Sequence, residues 1–317
     1  MKRLLSLCLT ALLALSLAAC GGGQTANSSS AAQKNLTDQS AGSAQAAPAE
    51  TDSAPTVTFQ SENNEYKDDA EQTVVMREDL QVPTVTVPGN EAAQKAIQAQ
   101  LDAIVSQFRA DSEEIISGGK QEYANAQENG NTEDFFPFFH SLTFTPARCD
   151  GAVLSLVVEE AGYQGGAHGL TYRYGRTYDV STGKLLTLTD LGDGLSETAL
   201  PILSQFVQAV RDKDGVFFPD ASEEDLKSVV SDETCYLSDS GLVFISGQYQ
   251  LQPYAAGIVL FTVSYDDLAG KLKDDYNPGG GVTRCETAET VYTFGADGAL
   301  ESAPLQEEET PADSSAA

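Results

Sequence analysis

The chain has 317 residues, with 47 Asp and Glu against 18 Lys and Arg and a formal net charge of −29. Such a charge disfavours a nucleic-acid partner, whose phosphates would be repelled, and favours encounter with basic partners. Two histidines and five cysteines leave little material for a metal centre, and the cysteine spacings match no zinc pattern.

The N-terminus opens with Lys2 and Arg3, an apolar run from Leu4 to Leu15, and Leu17-Ala18-Ala19-Cys20. The run is too short for a membrane span and stops at small residues, so residues 1–19 are expected to be an export signal. The pattern resembles a bacterial lipoprotein signal. That resemblance implies a lipidated Cys20 as the mature N-terminus, holding the protein on the outer face of the cell membrane, or on the outer membrane where one exists. Residues 20–55 are rich in Ser, Ala, Gln, Gly and Thr and cannot bury enough surface to order themselves. They read as a tether spanning roughly 30 to 35 Å as a flexible coil.

Residues 56–275 carry the apolar periodicity of a folded domain, with two subdomains meeting near residue 175. Thr73 to Val87 is β-rich. Asn90 is placed to cap a helix in which Ile97, Leu101, Ile104 and Phe108 recur at helical spacing. Ser117-Gly118-Gly119 is expected to interrupt it before a second helical piece over residues 121–127. Asp150-Gly151 then joins two strand-like runs as a hairpin. Residues 170–180 form the next strand, and Ser181 to Lys184 turn it back into LLTL, giving a four-stranded antiparallel meander. Helix returns over residues 196–211, with Pro201 a candidate for its true first turn. Ser222 to Asp225 start a short helix with a capping-box pattern. Strands follow at 234–237, 242–246 and IVLFTVSY, and then a short helix at 266–273. The fold class is therefore α+β, antiparallel sheet with a few packed helices, flanked by disordered tails. Residues 276–317 are expected to be mostly disordered, apart from a strand-like piece at 290–294, and to end in an acidic tail. Without Cys8 and Cys20, the odd set Cys149, Cys235 and Cys285 leaves the disulfide state open.

Residues 162–169, GYQGGAHG, concentrate glycine between two apolar runs and hold His168, one of the two histidines. A phosphate loop needs a helix behind the glycines, and here a strand follows. No HxH, HxxxH, HExxH or G-x-S-x-G pattern occurs, so no catalytic residue, metal or cofactor is expected. The remaining reading is a connection between paired strands, in which glycines give positive φ or close backbone approach.

GGAHG with a Tyr-rich strand, DVSTGKLLTLTDL, and CYLSDSGLVFISGQYQLQPYAAGIVLFTVSYDDL occur in that order. Together they resemble the extracellular domain of RsiV-type anti-sigma factors, shared with the N-terminal region of PdaC-type peptidoglycan deacetylases. The resemblance spans residues 74–273 and implies an α+β fold. Two departures are expected to matter: no sigma-binding segment and membrane helix precede the domain, and no deacetylase domain follows it. The chain then reads as the sensing or accessory module alone. In RsiV-type proteins this domain recognises lysozyme, a basic enzyme suited to an acidic surface.

Three functions follow. The first is a surface-anchored, non-catalytic binding module for lysozyme. The second is a module for peptidoglycan glycan, with tyrosines stacking on sugar faces. The third is a wall-acting hydrolase using Glu159 and Glu160, which adjacent strand positions would point to opposite faces. The candidate ligand-facing residues are Tyr163, Gln164, His168, Tyr172 and Tyr254, the last within residues 252–257. The same glycines also admit a purely structural role, with His168 bonded to its own turn and Tyr254 filling the core.

Overall fold

The structure, a computed structural model, describes residues 54–305. The expected signal, Cys20, nearly all of the tether and the acidic end of the tail lie outside them.

The first sheet contains β1 (Thr56–Lys67), β2 (Val74–Thr86), β3 (Phe138–Cys149), β4 (Val153–Tyr163) and β5 (Leu170–Asp179), in that spatial order. All neighbours are antiparallel except β2 and β3, which run parallel. A parallel pair needs a long crossover, and α1 (Glu91–Asn129) supplies it. Asn90 caps this helix as expected, accepting from the Ala93 N–H at 3.1 Å. Ile97, Leu101, Val105 and Phe108 then pack on Leu80, Leu142, Phe144 and Leu156 of the sheet.

The expected break at Ser117 to Gly119 does not occur, and α1 runs unbroken through it. Packing explains these residues. A Cβ on Gly119 would lie 2.7 Å from the Val75 carbonyl oxygen, so glycine lets the helix rest directly on β2. The helical penalty of glycine is outweighed by that contact and by the length of the helix around it.

The second sheet contains β6 (Cys235–Ser238), β7 (Gly241–Ser246), β8 (Val259–Ser264), β9 (Arg284–Glu286), β10 (Thr290–Phe294) and β11 (Leu300–Pro304). They are ordered β11-β10-β9-β8-β7-β6 and antiparallel throughout. Three helices accompany it: α2 (Leu188–Leu191), α3 (Leu195–Asp214) and α4 (Glu223–Val229). α4 has the expected capping box between Ser222 and Asp225. Leu203, Phe206, Val207 and Val210 of α3 share one core with Phe244, Phe261, Val263, Cys285 and Tyr292.

That core corrects the expected tail. Residues 276–305 do not leave the fold. They add three strands to the second sheet and bury Cys285 and Tyr292. The NPGGG stretch is irregular, but it returns the chain to the sheet edge. Three smaller expectations also change. LLTL makes one bridge, Tyr178 to Leu185, in place of a fourth meander strand. Residues 266–273 form turns in place of a helix. Pro201 lies inside α3, which starts at Leu195.

The two sheets meet on the face of the first that is opposite α1. Val157 and Ala147 there pack against Tyr236, Val243 and Ile245. β6 crosses β5 at Gly175, whose N–H donates to the Glu233 carbonyl at 3.2 Å. A Cβ on Gly175 would stand 1.9 Å from the Cys235 carbonyl oxygen, so no other residue allows this approach. Cys149, Cys235 and Cys285 are all free. Burial pushes the Cys235 thiol up to about 12 and raises Cys285 and Cys149 as well. All three are thereby kept as weakly reactive thiols.

Candidate functional site

The turn from β4 to β5 is made by residues 164–169. Gly165 and Gly166 have φ of 87° and 93°, values a side chain with a Cβ rarely adopts. Tyr163 ends β4 between Phe138, met edge-on at 6.3 Å, and Phe139, stacked at 6.5 Å. Its hydroxyl donates to the Gly166 carbonyl at 3.0 Å, which ties the loop to the strand below it.

His168 faces the second sheet. Its ring stacks on Tyr254 with centroids 3.9 Å apart and planes 21° apart. Nδ1 lies 2.9 Å from the Gly169 carbonyl, and Nε2 lies 3.0 Å from the Tyr249 hydroxyl. A carbonyl only accepts, so Nδ1 carries a proton, and in the neutral ring Nε2 accepts from Tyr249. Tyr254 stands on a single turn of 3-10 helix, Tyr254–Ala256. Buried Gln252 anchors that turn, donating to the carbonyls of Gly257, Gly247 and Ser246 at 2.9, 3.1 and 3.2 Å. Tyr249 has φ 65°, a conformation that costs a non-glycine residue energy and tends to occur at functional sites.

The expected residues thus separate into two flanks of one loop. His168 and Tyr254 are in direct contact, and Tyr163 lies on the opposite flank with Phe138 and Phe139. Gln164 is exposed in the loop between them. Tyr172, on β5, is 62% exposed. Sequence reasoning missed Tyr249, which is 52% exposed, and the partly exposed Phe139 and Leu170. An aromatic side chain amid the polar residues 247–252 is the one local signal for Tyr249. His168, Tyr249 and Tyr254 form one aromatic cluster where the β4–β5 turn meets the loop after β7.

Two other groupings have a catalytic look. His140 has the Ser112 hydroxyl 2.9 Å from Nδ1 and Glu160 2.9 Å from Nε2. Both Ser112 and His140 are buried, and the His140 ring is stacked on Phe108 at 4.0 Å. A nucleophile under a helix has no route to a substrate, and this trio joins α1 to the sheet. Glu159 points to the other face, where Arg173 Nε donates to it at 2.9 Å. The neighbouring carboxylates therefore do not work as an acid/base pair. Among the described residues, no group of three His, Cys, Asp or Glu side chains is placed to hold a metal ion, and no helix is long and apolar enough to cross a membrane.

Residues 69–171 match the family model described as deacetylase PdaC, and residues 192–266 match the model described as protein of unknown function DUF3298. Among solved structures the chain is similar to a DUF3298 family member from Bacteroides fragilis. The two share 16% identity over 72% of this chain and 96% of that one, with a TM-score of 0.55. A DUF3298 family protein from Pseudomonas aeruginosa gives 18% identity over 71% of this chain and 98% of that one, with a TM-score of 0.44. At such identities the Bacteroides likeness speaks for the fold. A comparison with curated proteins finds no match. The site straddles the two matched segments: Tyr163 and His168 fall in the first, Tyr249 and Tyr254 in the second.

Proposed function

We propose that this chain, in which a PdaC domain is followed by a DUF3298 domain, is a non-catalytic binding module displayed at the cell envelope on a lipid-modified Cys20. The two domains together fit an extracellular, envelope-associated module of the RsiV-like kind. The anchor rests on the signal-like N-terminus. Fatty-acid labelling is expected to mark the wild type and leave Cys20→Ala unmarked, and equal labelling of the two would refute the anchor.

The contact of His168 with Tyr249 and Tyr254 carries the binding reading. It joins residues 81 positions apart into one rigid, partly exposed aromatic surface, and interface tyrosines give contact area with a polar tip at low entropic cost. The proposed partner is lysozyme or a similar basic wall-cleaving enzyme. Attraction from a net charge of −29 speeds encounter and is screened beyond about 8 Å at physiological salt. Wall glycan is the second reading, favoured by the exposed ring of Tyr172, because ring faces stack on sugars.

Lysozyme capture over a salt series and sedimentation with insoluble peptidoglycan separate the two. For whichever ligand binds, His168→Ala and Tyr249→Ala are expected to weaken affinity by about tenfold or more, the size of an interface hot spot, with the melting temperature nearly unchanged. A structural role predicts the reverse: about 1 to 3 kcal/mol of lost stability and normal binding by the folded fraction.

A further inference from the structure

On the other flank of the glycine loop lies a second concavity, a cleft of about 350 Å³ between the end of α1 and the loop. Phe135, Phe136, Phe138 and Tyr163 supply aromatic walls, with Glu122 and Asp134 beside them and the backbone of Gly165 and Gly166 closing one side. Phe136 is 69% exposed, the highest value among the exposed large hydrophobic side chains. Phe135 is set edge-on against Tyr123 at 5.0 Å, and Tyr163 is fixed by Phe138, Phe139 and its bond to Gly166. The Phe135 and Tyr163 walls are therefore preorganised, and Phe136 projects into solvent beside them.

The electrostatics have one sign. Among the described residues no Lys or Arg lines the cleft, and neither Glu122 nor Asp134 takes part in an ion pair. α1 ends beside it with no basic residue in its last turn, so the negative end of a 39-residue helix is left without a counter-charge. Aromatic faces, carboxylates and a helix C-terminus each attract cations, and the first of these also accepts the apolar stem of a long side chain.

We propose that this cleft receives an Arg or Lys side chain of a basic protein partner, at a contact separate from the His168–Tyr254 surface. The partner's class rests on the binding reading above. The guanidinium or ammonium lies against the rings of Phe136 and Tyr163 while Glu122 and Asp134 hold it by charge-assisted hydrogen bonds.

The test uses the full chain and two probes, a labelled tetra-arginine peptide and lysozyme. The variants are Phe136→Ala, the double change Glu122→Gln with Asp134→Asn, and, as control, Val282→Ala, another exposed apolar side chain, which lines neither surface. Phe136→Ala is the informative one, because it leaves the large negative charge untouched and removes an exposed side chain on which folding does not depend. Peptide affinity is expected to fall about two- to fivefold in Phe136→Ala, as when a cation loses an exposed aromatic face. It should fall further in the double variant and stay unchanged in Val282→Ala. Peptide binding that is absent in the wild type, or equal in the wild type and Phe136→Ala, overturns the cleft as a cation site. Peptide binding that depends on the cleft while lysozyme fails to bind keeps the cleft and removes lysozyme as the partner. Lysozyme that binds the wild type and Phe136→Ala alike, while the peptide discriminates between them, restricts the cleft to a different basic partner.

Discussion

A chain ending at Asp275 is expected to lose its cooperative fold, whereas one ending at Leu305 melts with the full protein. Ending at 275 removes β9, β10 and β11 together. It strips the partners of Leu260, Phe261 and Thr262 along β8 and takes out buried Cys285 and Tyr292. It also removes Phe294, whose ring lies 4.6 Å from that of Phe206 in α3. Each lost large core side chain is worth about 2 to 5 kcal/mol, against a total stability of about 5 to 15 kcal/mol for a domain. The expected product is insoluble, or compact without a cooperative melt, by circular dichroism and calorimetry. A chain ending at 275 that melts within a few degrees of the full protein would show that the three strands are dispensable.

The second large effect is expected at Arg148. Its side chain is only 5% exposed and sits where the β3–β4 hairpin meets the second sheet. Nε donates to Asp150 at 2.6 Å, and Nη1 donates to the Tyr265 hydroxyl at 2.8 Å and the Tyr276 carbonyl at 2.7 Å. The guanidinium also lies 5.3 Å from the centre of the Tyr265 ring. Arg148→Ala leaves the Tyr265 hydroxyl and the Tyr276 carbonyl without this donor and takes the cation from Asp150, whose half-exposed carboxylate keeps the Ala152 and Val153 N–H groups, so the expected cost is about 1 to 3 kcal/mol.

A pH signature accompanies it. Burial pushes the Asp150 carboxyl up, but the Val153 and Ala152 N–H groups and Arg148 outweigh that and hold it below the ordinary carboxylate range. A depressed carboxyl stabilises the fold above its unfolded value, and this contribution fades as pH falls through the folded value. Arg148→Ala is therefore expected to flatten the acid limb of the stability profile as well as lower its plateau. Equal slopes for variant and wild type in acid denaturation would refute that coupling.

Much of the fold was legible locally. Asp150-Gly151 between two apolar runs specifies a hairpin, Ile97, Leu101 and Phe108 specify a helix face, and Ser222 with Asp225 specifies a helix start, because each pattern acts within a few residues. β1 was not legible as a strand. It is an edge strand with mostly exposed side chains, so its residues do not alternate strongly. Gly118-Gly119 misled for a related reason: their effect on an isolated helix is unfavourable, and only the nearness of Val75 makes them an asset.

The candidate site divides in the same way. GGAHG and QPYAAG stand out as two glycine-bearing interruptions, and their sequence supports a loop at each. That His168 stacks on Tyr254, that Tyr249 completes the contact, and that Tyr163 turns to the opposite flank are decided by how the second sheet packs on the first at Gly175. The same packing recruits residues 284–304 into the core, since short strands with few apolar residues acquire their stability from the neighbours they pair with. Charge, the signal-like N-terminus, the α+β class and the local hairpins and caps were properties of the sequence alone. The partnership of residues far apart in the chain belonged to the tertiary structure, because no local pattern carries the free energy of a contact that exists only once both sheets are formed.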